Sequence, residues 1–196
     1  LAAAGSPVIW VNNRGDRFCD ETASFDFPLA GNCIYEQPGH TAWAIWDGAF
    51  CAYLKENGLD LGIGTNVPVG TKLDIIADVQ RLMAQGYEHV FMADSLPELG
   101  EKIGIDGEHL QATVDRYNQF FMQHHDDDFY KDPHFIIPTF NPPYIAARLV
   151  VGDFISYGGL CVDPNTIEVV NDDAKPVAKG LYACGADVGN MWGDTY

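Results

Sequence analysis

Four prolines in the stretch 126–143 restrict the fold of this chain more than any other feature. Pro133, Pro138, Pro142 and Pro143 each fix φ and remove a backbone donor, so neither a helix interior nor a central strand continues through them. The acidic and aromatic residues around them have the composition of a crossing loop, which places a boundary there. Residues 1–140 read as mixed helix and strand and residues 141–196 as mostly strand: an α+β chain without internal repeats.

Residues 7–21, PVIWVNNRGDRFCDE, place an apolar run before the turn cluster Asn12, Asn13, Arg14 and Gly15 and resume at Arg17 and Phe18, the pattern of a hairpin. A strand over 42–46 ends at Asp47, and a short helix from about Gly48 to Asn57 closes at Gly58. Residues 73–85 repeat apolar side chains at the helical period and stop at Gly86. Ser95 and Glu98 form a capping box for a helix ending near Gly104. Asp106 then opens the longest helix, with Leu110, Val114, Tyr117 and Phe121 on one face. Past the boundary, strand-like runs cover 144–151, 159–162, 167–170 and 181–184.

Acidic residues number 28 against 11 basic ones, a net charge of −17. With no basic stripe to neutralise phosphates, nucleic acid is excluded as a partner, and the same charge disfavours anionic membranes. No apolar run approaches the ~20 residues that span a bilayer, and LAAAGSPV lacks the length and charged start of a signal peptide. The five cysteines are irregularly spaced without a CxxC pair, so neither a zinc site nor a disulfide framework is expected, and Cys184 reads as a small buried hydrophobe. His124, His125, Asp126, Asp127 and Asp128 are metal-ligand types, but consecutive residues at a helix end rarely converge on one ion; no metal is expected. Trp43, Trp46, Phe50 and Tyr53 read as core rather than as a substrate platform. The glycine-rich run 62–70, GIGTNVPVG, follows a helix and contains Pro68, so it reads as a loop rather than a nucleotide grip.

The last seventeen residues, GLYACGADVGNMWGDTY, run from the apolar Leu181, Tyr182 and Ala183 into Gly185, Gly189 and Gly193, spaced every four residues. Glycines so placed serve a positive φ or a close backbone approach.

Taken in order, VNNRGDRFCDE, AWAIWD, MADSLPELGEKIGIDGEHLQATVDRYNQ, NPPYIAARL, YGGLCVD and the terminal glycine run resemble the fumarate reductase and 3-ketosteroid dehydrogenase flavoprotein superfamily, over nearly the whole chain. The resemblance implies a capping domain over residues 1–140 and, over 141–196, the return of the chain into an FAD-binding domain of a bacterial protein, while nothing in the sequence fixes its compartment, cytoplasm or cell envelope. It also implies FAD as cofactor, a small-molecule substrate, an electron donor or acceptor, and contact with the remainder of the FAD-binding domain. The family's GxGxxG turn, which seats the pyrophosphate on a helix N-terminus, is absent from these residues. The chain therefore reads as an excised fragment, expected to hold FAD weakly and to be inactive alone.

The resemblance also aligns site residues. Phe25 takes the place of the proton-donating arginine of fumarate reductases, Ile155 that of their substrate histidine, and Tyr196 that of their C-terminal substrate arginine. All three cationic positions are lost, which argues against a dicarboxylate substrate. Tyr196 instead resembles the tyrosine with which ketosteroid dehydrogenases polarise the substrate ketone, and a phenol can donate to a developing enolate without carrying charge. Phe25, Ile155 and Tyr157 are then substrate-facing. Asp26, Tyr35 and Tyr157 are candidate acids or bases by nearness in sequence, and Gly185, Ala186 and Asp187 are the FAD-proximal residues. The expected activity is transfer of a hydride and a proton across a carbon–carbon bond beside a carbonyl, as in an enone or ketosteroid. The alternatives are a carboxylate-directed reductase using Arg148 or Arg17, and a non-catalytic binding module with an acidic face. A structural role is expected of Arg17, and an ion pair of Arg148.

Overall fold

The computed structural model describes residues 2–60, 67–152 and 159–190. They divide into two compact units, residues 1–151 and 152–196.

The first unit is built on four short antiparallel strands: β1 (Ile9–Asn12), β2 (Thr41–Trp46), β3 (Val90–Ala93) and β4 (Tyr144–Val150), in the order β1-β2-β4-β3. β2 is buried at every residue, so its alternating side chains serve two cores at once. Ala42, Ala44 and Trp46 join Trp10, Ile145 and Ala147 on one face, against α1 (Phe27–Tyr35), α2 (Gly48–Glu56) and α3 (Ile75–Ala84). Trp43 and Ile45 join Ile9, Val11 and Ala146 on the other, against α4 (Leu96–Ile103) and α5 (Gly107–Gln123). The result is a mixed helix and small antiparallel sheet architecture, the α+β class expected.

Each of the five α-helices among the described residues starts on a side chain that accepts a backbone N–H otherwise left without a partner: Asp26, Asp47, Asp74, Ser95 and Asp106. The capping box at Ser95 forms with one difference, since Glu98 reaches back to the N–H of Asp94. Gly104 closes α4 in the left-handed region, as does His124 for α5. No helix among the described residues is long and apolar enough to cross a membrane.

One sequence expectation changes, that of the hairpin. The hairpin's second arm is a single bridge, Val11 to Arg17, because the chain turns at Asp20 into a short 3-10 helix, Glu21–Phe25. β4 lies hydrogen-bonded between β2 and β3, so the first compact unit continues past the proline-rich loop to Val151. That loop is pinned: Asp47 caps α2 with one oxygen and accepts the N–H groups of Phe140 and Asn141 with the other, while Asn118 exchanges two bonds with the backbone of Thr139.

In the second unit the expected strands appear as isolated bridges, Val162 with Val169, Glu168 with Tyr182 and Leu160 with Val188, around Val162, Val169, Ala183 and Val188. Ala183 takes the inward position of its run, so Cys184 is exposed rather than buried.

Candidate functional site

A buried network of charges in the first unit was not anticipated from the sequence. Lys131, from the proline-rich loop, has a fully buried side chain, and its ammonium donates to the Pro7 carbonyl at 2.6 Å, to Glu21 at 2.9 Å and to the Tyr117 hydroxyl at 2.9 Å. All three of its donors are used. Glu21 is gripped by the Arg17 guanidinium at 2.7 and 2.9 Å and accepts the backbone N–H of Trp10 as well. Arg17 also meets both oxygens of Asp126, whose carboxylate takes the N–H groups of Asp128, Phe129 and Lys131. Two cations and two anions thus close on each other, and the faces of Tyr117, Phe120 and Phe129 surround the guanidinium.

Burial pulls the Lys131 pKa down from the ordinary lysine range, although Glu21 opposes it. Burial also disfavours charge on Arg17, but Glu21 and Asp126 outweigh it and push its pKa up. For Asp126 burial raises the pKa, and Arg17 with the N–H groups of Asp128 and Phe129 carries it below the usual carboxylate range. Arg17 is therefore structural. The sequence signal for its partner was one residue: Lys131 is the sole Lys or Arg between Arg116 and Arg148.

Glu21 opens the 3-10 turn that ends at Phe25, so the buried network anchors the element carrying that candidate residue. Phe25 is 46% exposed and meets Phe135 edge-on, with centroids 5.3 Å apart. Phe135 in turn lines a cleft of about 460 Å³. Asp26 is committed to capping α1, and Tyr35 stacks on His40 at 4.3 Å. Arg148 is exposed on β4 and has no ion pair among the described residues, contrary to expectation.

In the second unit Gly185, Ala186 and Asp187 form one 3-10 turn, with Gly185 at φ +65° and open space where a Cβ would stand. The Asp187 side chain is exposed, while its carbonyl accepts the Leu160 N–H at 2.8 Å. Gly159 and Gly189 serve the chain itself: a Cβ on Gly159 would lie 2.1 Å from the Asp187 oxygen, and one on Gly189 would lie 2.6 Å from the Gly159 nitrogen. Asn190 completes this corner, accepting the Val162 N–H and donating to its carbonyl. Ile155, Tyr157 and Tyr196 lie outside the described residues.

The histidine and aspartate run at the end of α5 diverges: Asp126 turns inward to Arg17, Asp128 pairs with Arg116, and His125 faces Asp127 at 3.4 Å. Of the aromatic cluster, Trp43, Trp46 and Phe50 are core, whereas Tyr53 is 41% exposed.

The model of the FAD binding domain family matches residues 1–195. The chain is 32% identical over 196 residues to the vinyl phenol reductase of Lactiplantibacillus plantarum, covering 100% of this chain and 39% of that protein. It is 30% identical over 192 residues to the fumarate reductase (cytochrome) of Shewanella frigidimarina, covering 98% of this chain and 28% of that protein. Among solved structures, a 3-ketosteroid delta1-dehydrogenase from Sterolibacterium denitrificans, in complex with 1,4-androstadiene-3,17-dione, superposes with a TM-score of 0.67 at 26% identity, over 95% of this chain and 34% of that one. The chain thus spans well under half the length of these relatives.

Proposed function

Because this chain belongs to the FAD binding domain family, we propose that it supplies the cap, residues 1–140, and the return segment, residues 141–196, of an oxidoreductase acting on an activated carbon–carbon bond. FAD is the family's cofactor, and when bound it supplies the two-electron hydride chemistry. The turn Gly185–Asp187 suits it on physical grounds: Gly185 holds a positive φ that lets the backbone turn tightly, and the exposed Asp187 carboxylate repels phosphate but accepts from a flavin N–H or a ribityl hydroxyl.

The observation that carries the reading is Phe25, an exposed, uncharged aromatic on the position where the resemblance puts an arginine. A dicarboxylate needs cationic donors, whereas a neutral conjugated alkene does not. Phe25, Ile155 and Tyr157 face this substrate, and the Tyr196 phenol donates to the oxygen on which charge develops. The cap excludes water from the reacting atoms. The likeness to a vinyl phenol reductase over the full chain favours a second form of the same chemistry, in which a phenol ring replaces the carbonyl as the conjugating group. These 196 residues hold no GxGxxG turn, and alone they are expected to show no flavin-dependent turnover.

The test is anaerobic reduction of the holoenzyme, followed by mixing with a cyclic enone, with 4-vinylphenol or with fumarate while flavin absorbance near ~450 nm is followed. Reoxidation by either conjugated alkene and not by fumarate supports the reading. Reoxidation by fumarate alone transfers the site to a carboxylate-directed reductase.

A further inference from the structure

The cleft beside Phe135 has a chemistry of its own. Its volume of about 460 Å³ falls in the range typical of small-molecule sites. Phe50, Phe135 and Ile137 supply an apolar lining, and the Phe50 and Tyr53 rings stack within 9° of parallel. At the exposed end the Tyr53 hydroxyl donates to Asp60 Oδ1 at 2.8 Å, which holds that carboxylate at the cleft. Among the described residues no lysine or arginine lines it, and His134 is the one further titratable group besides Tyr53 and Asp60.

Aromatic faces and a fixed carboxylate attract the same kind of guest. Ring faces are negative at their centres and favour a cation held over them, and a carboxylate opposite completes the pairing. An anion would meet the Asp60 carboxylate with no lysine or arginine among the described lining residues to neutralise it. The chain's net charge of −17 adds a field of the same sign. We propose that this cleft binds a small organic ammonium ion, its apolar group against Phe50, Phe135 and Ile137 and its charge at Asp60.

Three probes of nearly equal shape separate charge from apolar contact: benzylammonium, benzyl alcohol and benzoate, each titrated into the protein by calorimetry and by NMR. Benzylammonium should bind about tenfold more tightly than the alcohol, with benzoate weakest. Shifts should concentrate on Phe50, Tyr53 and Phe135. Asp60 is exposed, so Asp60→Asn should keep the fold while erasing the preference for the ammonium. Tyr53→Phe, which frees Asp60 but keeps the ring, should reduce that preference without removing it. The proposal is overturned if the alcohol binds as tightly as the ammonium, if Asp60→Asn leaves the preference intact, or if benzylammonium does not saturate at these residues.

Discussion

At Lys131 a single side chain joins the first strand's approach, the 3-10 turn and the long helix, through Pro7, Glu21 and Tyr117. Truncating it to Lys131→Met leaves Glu21 buried with one cation instead of two, a loss of about 3–5 kcal/mol that urea unfolding at neutral pH would read. Asp126 governs the acid side. Its pKa is lower in the folded chain than in the unfolded one, so its contribution is complete above about pH 4 and is lost as pH falls through the folded value. The melting temperature should therefore drop as pH is lowered from about 4 towards 2. Asp126→Asn should be less stable at neutral pH and show a shallower acid slope. The slope should not vanish, because Asp128 and Asp163 also have lowered pKa values.

Elements whose start, period and stop are all local were legible in the sequence. α2, α3, α4 and α5 each combine a capping side chain with a stop at or just beyond the last turn, and β2 is a run of six apolar or small residues with one threonine. α1 was not legible because Pro28 and Gly31 lie within it, and its apolar side chains do not share a buried face: Ile34 is buried while Phe27 and Leu29 are half exposed. β3 was missed as four residues that owe their strand to pairing with β4, far along the chain. The same distance hid the site. Arg17 and Glu21 are four residues apart, but Asp126 and Lys131 reach them only after α5 returns the loop, and nothing in the local spacing announces that meeting. Crossing geometry was equally hidden. A Cβ on Gly107 would lie 2.5 Å from the Pro97 carbonyl, where α4 and α5 touch, whereas Gly104 has open space and only its positive φ to protect. Gly107→Ala should therefore cost about 3 kcal/mol and Gly104→Ala about 1 kcal/mol, a difference that thermal melts of the two variants would resolve.

Across the whole chain, apolar burial is unequal. The first unit fills both faces of its sheet, whereas the second gathers Val162, Val169, Ala183 and Val188 and leaves Val177, Leu181 and Tyr182 largely exposed. With so small a core among its described residues, this unit has little to set against chain entropy. Its amides should exchange with solvent faster than those of β2 and β4 by at least about 100-fold, as hydrogen exchange read by mass spectrometry would show. Comparable protection in both units would refute this.

The sheet order carries a consequence for how the molecule comes into being. β2 borders β4, so Trp46 finds Ile145 only after the intervening chain exists. At a synthesis rate of about 5–20 residues per second, the β1-β2 pair waits roughly 5–20 s on the ribosome with the β2 edge open. During that interval its unpaired backbone groups are a template for any neighbouring strand, and cellular yield should depend on whatever shields that edge until the last strand of the sheet emerges.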